Sequence, residues 1–144
     1  MGPRHPDHVL PLVVAGEVAL ARGDFAGAGA AFEAALILAI DQPDRAYLLF
    51  GLGEASRLAG AGAQARAHYR RGREAIAASG DNPAVLAELW IGEARSWAAE
   101  HDVAQARAAY GEARAALAGV VTGPEFEQAI ARELAALDAD APSQ

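Results

Sequence analysis

The stretch GEVALARGDFAGAGAAF, Gly16 to Phe32, returns as GEASRLAGAGAQARAHY, Gly53 to Tyr69, and again as ARSWAAEHDVAQARAAY, Ala94 to Tyr110. Each copy opens on a tiny residue, carries an alanine (Ala28, Ala65, Ala106) four places before its end, and closes on an aromatic; successive copies lie 37 and 41 residues apart. Small, small, aromatic is a packing code for antiparallel helices. Tiny residues facing each other let two backbones approach, and the ring one turn later fills the space beside the contact. The expected pairs are Gly16 with Ala28, Gly53 with Ala65, and Ala94 with Ala106. A period in this range is that of helical-hairpin arrays, whose units bury their apolar faces against their neighbours.

With their surroundings, these residues resemble the tetratricopeptide repeat family. Leu12, Gly16, Gly23-Asp24-Phe25, Ala28, Phe32 and Ala35 match its pattern in the first copy, and Leu49, Leu52-Gly53, Ala65 and Tyr69 in the second, where Gly72 replaces the preferred alanine. The third copy supplies Trp90, Ala94, Trp97, Asp102-Val103, Ala106, Tyr110 and Ala113. Periods near forty are similar to the long repeats of bacterial signalling regulators. The resemblance implies an all-α fold, a right-handed superhelix of three helix hairpins at about 8–42, 43–82 and 83–121 with a capping helix at 124–138. That repeat domain spans 8–138, with flexible ends at 1–7 and 139–144.

Turn and cap signals agree. Pro6-Asp7 opens the first helix, Gly23-Asp24 ends it, and Asp41-Gln42-Pro43 starts the third. Gly60 to Gly62 divides the second pair, Asp81-Asn82-Pro83 caps the fifth helix with proline at its first position, and His101-Asp102 divides the last pair. Thr122-Gly123-Pro124-Glu125 has capping-box spacing before an amphipathic run that places Phe126, Ile130, Leu134 and Leu137 on one stripe. This last helix is expected to cover the apolar face that an array exposes at its end. Gly27, Gly29 and Gly51 fall inside helical segments, where close contact and local softness are both open explanations.

Composition narrows the function. No apolar run reaches a membrane span, and the first nine residues lack a signal-peptide core, so a cytoplasmic location is expected. With no cysteine there are no disulfides and no thiolate chemistry. A net charge of −7 argues against nonspecific binding to nucleic acid. All twelve cations are arginine, which removes the lysine Schiff base and the phosphate-loop lysine. Neither a catalytic constellation nor a cofactor motif occurs, and His5 and His8 make a poor metal site. The expectation is a binding protein rather than an enzyme, with no cofactor and no metal.

The family resemblance implies that partners lie on the concave face lined by the first helix of each pair. Helical spacing assigns that face Val13, Glu17 and Leu20, then Tyr47, Phe50, Glu54 and Arg57, then Glu88, Ile91 and Arg95. Glu17, Glu54 and Glu88 suit a basic segment, and Tyr47 and Phe50 suit an apolar anchor. The other assignment makes the aromatics inter-repeat core and the charges a solvated face. Chaperone-type repeats clamp a peptide carboxylate with lysine and asparagine, and here Val13, Glu17, Phe50 and Glu54 occupy those positions. Arg66, Arg70 and Arg73, echoed by Arg107 and Arg114, read as a solvated face, with an acidic partner as the alternative. The expected function is therefore a module that binds a peptide or protein segment. A sensor module of a bacterial regulator and a self-assembling scaffold, including a homo-oligomer, stay open.

Overall fold

A computed structural model describes residues 9–39, 44–79, 82–120 and 124–140. Among these residues there are seven α-helices and no strand: α1 (Val9–Ala21), α2 (Phe25–Leu38), α3 (Arg45–Leu58), α4 (Gly62–Ser79), α5 (Pro83–Ala99), α6 (Val103–Leu117) and α7 (Pro124–Asp140). The fold is all-α. None of the described helices is long and apolar enough to cross a membrane. The expected features at 1–7 with His5 and His8, at Asp41-Gln42-Pro43, at Asp81, at Thr122-Gly123 and at 141–144 lie outside the described residues.

The helices fall into two compact units, Met1–Asp81 with α1 to α4 and Asn82–Gln144 with α5 to α7. Each hairpin turns on one residue of positive φ: Gly23 at 77°, Gly60 at 86° and His101 at 61°. These three positions repeat with the 37- and 41-residue spacing of the aromatics. Left-handed backbone suits glycine because it has no Cβ, so His101 holds a conformation that is costly for an L side chain. The helix that follows is capped by a carboxylate after the first and third turns. Asp24 accepts from the Gly27 N–H at 2.9 Å and Asp102 from the Gln105 N–H at 3.2 Å. At the head of α5, Asn82 accepts from the Val85 N–H at 3.2 Å with Pro83 at the first helical position.

In the first unit Phe32, Ala28, Ala35, Leu48, Leu49 and Leu52 form the centre of the core. Phe32 lies between two glycines: a Cβ on Gly16 would come 2.7 Å from its ring, and one on Gly51 2.8 Å. A Cβ on Gly53 would come 2.3 Å from Tyr69. The ring therefore sits directly over the glycine, where the spacing had placed it beside a glycine–alanine contact, and Gly51 is explained by close approach. Gly27 faces the Asp24 cap carboxylate, and Gly29 faces nothing within 4 Å. In the second unit the core gathers Ala94, Ala106, Tyr110 and Ile91 with Ile130 and Leu137 of α7. Ile130 is fully buried there, and Phe126 and Leu134 pack against the same cluster, so α7 uses its apolar stripe to cover the last hairpin.

Candidate functional site

Within the first unit, α1 and α3 carry seven of the face positions. Val13 and Leu20 are half-buried and pack against the core, so they support the face more than they present it. Glu17 is exposed and accepts a 2.5 Å hydrogen bond from the Tyr47 hydroxyl, which ties α1 to α3. Tyr47, Phe50 and Tyr69 form a row of tilted rings with centroids 6.3 and 6.2 Å apart, within the range of favourable aromatic contact. Tyr69 is buried, while Tyr47 and Phe50 are half-buried and keep an apolar edge at the surface.

Glu54 stands behind this row. It accepts from the Tyr69 hydroxyl at 2.5 Å, from Arg57 Nε at 3.1 Å and from Arg57 Nη2 at 2.8 Å. Burial, and then the neighbouring Glu54 carboxylate, push the Tyr69 hydroxyl well above the usual phenol range. For Arg57, burial works to lower the pKa, and the bonds to Glu54 outweigh it. Both effects keep this trio as neutral phenol, carboxylate and guanidinium. With its lone pairs already occupied, Glu54 serves the fold before any ligand. Glu17 is the face acid that projects into water.

The second unit places its three face positions differently. Ile91 is only 5% exposed and belongs to the core around Tyr110. Glu88 is half-buried. Arg95 donates through Nε and Nη2 to Glu133 of α7 at 2.7 and 2.9 Å, and Tyr110 donates to the same carboxylate at 2.9 Å. Arg95 stands 41 residues after Glu54, at the same point of the repeat. Glu133 was not among the candidate residues. The signal for it was the inversion of charge at Arg95 combined with retention of the tyrosine, since a buried hydroxyl beside a guanidinium calls for an acceptor.

Two more arginines that read as a solvated face hold α7. Arg107 pairs with Asp138, and Arg114 Nη2 lies 2.9 Å from Glu127. Arg95, Tyr110, Glu133 and Leu137 line a cavity of about 430 Å³ that also touches His101 and Val103. Among the described residues, no group of three or more His, Asp or Glu is placed to hold a metal ion. The geometry thus offers a half-buried aromatic row with one exposed acid on the first unit, and a closed helix-on-hairpin contact on the second. No protein-family model matches this chain, and no curated protein matches it.

Proposed function

We propose that the chain is a tetratricopeptide-like repeat module, its hairpins stacked as a right-handed superhelix, that binds a peptide or protein segment of basic and apolar character. The observation that carries this reading is the Tyr47, Phe50 and Tyr69 row on the first unit. Two half-buried rings beside an exposed carboxylate combine the aromatic anchors that dominate interfaces with a charge that orients a cation. The triple recurrence of a small residue, a positive-φ turn and an aromatic supports the repeat assignment. The anchoring positions are Tyr47, Phe50 and Glu17. Val13, Leu20, Glu54 and Arg57 shape the face from behind.

A synthetic twelve-residue peptide of alternating leucine and arginine, titrated by isothermal calorimetry at low salt, tests the reading. Binding is expected to weaken as salt rises, because Glu17 is exposed and screened. The double variant Tyr47→Ala, Phe50→Ala abolishes it, and Glu17→Gln weakens it about tenfold while leaving the helical spectrum intact. Equal binding of an aspartate and leucine peptide, or no effect of all three substitutions, would overturn the proposal.

A further inference from the structure

At 3.6 residues per turn, Leu52, Ala55 and Ala59 lie on the opposite side of α3 from Phe50, Glu54 and Arg57. There α2, α3 and α4 line a groove of about 340 Å³, bounded by Gly29, Glu33, Leu52, Ala55, Gln64 and His68. Every one of these residues belongs to the first unit, and none takes part in the aromatic row.

Three observations meet in this groove. The first is Gly29. A glycine inside a helix lowers its stability relative to alanine. Gly16, Gly51 and Gly53 each repay that by admitting a ring, whereas a Cβ on Gly29 would meet nothing within 4 Å. Packing within the chain does not require it, and its effect is to leave the groove wall open. The second is His68, whose Nδ1 is shut off from solvent and has no hydrogen-bond partner. Burial and the Arg71 guanidinium hold its pKa below the usual imidazole range, against the opposing pull of Glu33. A neutral imidazole offers one acceptor nitrogen, and a shielded polar atom without a partner is costly. The third is Glu33, exposed and close enough to act on His68. The charged groups that face His68 are Arg71 on its own helix and Glu33 on α2; the lining residues of α3 are uncharged.

Two acceptors lie side by side over an aliphatic floor, and neither receives a donor from the described residues. That arrangement fits a cation that carries several N–H donors on a compact apolar body. We propose that this groove binds a small alkylammonium ligand, its N–H donors shared between Glu33 and His68 and its carbon chain laid on Leu52 and Ala55 beside Gly29. The proposal does not rest on the peptide-binding face, which lies on the other side of α3.

The test is an NMR titration of the full chain with 3-methylbutylammonium chloride, set against 3-methylbutanol as the neutral isostere. Saturable shifts are expected at the amides around Gly29, Glu33 and His68 with the amine and not with the alcohol. Glu33→Gln weakens binding about tenfold, the scale of a charge-assisted hydrogen bond. Gly29→Leu fills the groove and abolishes binding while raising the melting temperature, because a good helix former replaces glycine in open space. Binding also falls as pH drops through the titration of His68, since an imidazolium repels the ammonium. Equal shifts from the alcohol, or an amine response that survives both substitutions, would overturn the proposal. So would tenfold tighter binding of N-acetyl-lysine methylamide, which would assign the groove to a lysine side chain of a protein instead.

Discussion

In the first unit the hydroxyl of Tyr69 meets a carboxylate from the neighbouring helix, Glu54, whose charge is balanced one turn along the same helix by Arg57. In the second unit Arg95 stands at the position of Glu54 and Ala98 at that of Arg57, and the hydroxyl of Tyr110 meets a carboxylate carried in by α7. The three groups are the same, but their origin is not. One trio closes within a single hairpin; the other closes only when the last helix arrives. The first hairpin pair is thus electrostatically complete, whereas α5 and α6 depend on Glu133 to satisfy a guanidinium and a phenol together. The apolar stripe explains why α7 lies down, and Glu133 explains where along the hairpin it stops.

The largest effects come from removing the rings. Tyr69→Ala and Tyr110→Ala should each cost about 3–5 kcal/mol, because each deletes a buried aromatic from a packed core. Their signatures should differ in amide hydrogen exchange resolved by helix. Tyr69→Ala releases α3 and α4, while Tyr110→Ala releases α6 and α7 together. Matching loss of protection in α7 from both variants would break the distinction between a local and an imported trio. Overpacking comes next. A methyl at Gly53 has no room beneath Tyr69, so Gly53→Ala should cost about 1–3 kcal/mol. The corresponding position in the second unit is already alanine, and Ala94→Gly should cost only about 1 kcal/mol, the helix penalty of glycine. Thermal melts of the two variants measure the pair, and equal losses would show that the small residues serve the same geometry in both units.

Removing only the hydroxyls isolates the trio itself. The Glu54 side chain is 14% exposed and that of Glu133 27%, so water compensates the second carboxylate better. Tyr69→Phe should cost about 1–2 kcal/mol and Tyr110→Phe about 0.5–1 kcal/mol, the range for a hydrogen bond to a charged group at decreasing burial. The pH dependence sharpens this. Tyr69 has a folded pKa above its unfolded value, so its contribution is complete below about pH 10 and is lost as pH rises beyond it. Urea melts at rising pH should show that alkaline loss in the native chain and a smaller one in Tyr69→Phe. Identical pH profiles would remove Tyr69 from the account.

The array was legible in the sequence because its signal is strictly periodic. Helix number, the Gly23, Gly60 and His101 turns, the Asp24, Asn82 and Asp102 caps and the covering role of α7 follow from spacing and cap chemistry. Side-chain partners were less legible. Spacing gave Glu54 and Glu17 the same role, yet one is occupied by Tyr69 and Arg57 and the other faces water. Ile91 fell on the face by the same rule and lies in the core, because α7 closes over the hairpin that carries it. Arg107 and Arg114 read as a solvated stripe because their acids, Asp138 and Glu127, are 31 and 13 residues away in sequence. A helical wheel describes one element, and these pairings are made between elements.

Salt gives the smallest effect and the cleanest separation of the two units. Glu127, Glu133 and Asp138 fasten α7 to Arg114, Arg95 and Arg107. The outer two pairs are exposed, and such pairs contribute only about 0–1 kcal/mol each and are screened within roughly 3 Å at 1 M salt. The Glu54–Arg57 pair is shielded by Tyr69 and the core, so screening reaches it less. Ile130 and Leu137 hold α7 by apolar burial, which sodium chloride does not weaken. Raising sodium chloride to about 1 M should therefore speed amide exchange in α7 by about fivefold or less, with α1 to α4 unchanged. The Glu133→Gln variant should start from faster exchange in α7 and keep only the part of the salt response that comes from the two outer pairs. A salt response shared by α3 and α4 would mean that the first unit's trio is as exposed as the second's, and the contrast between them would fail.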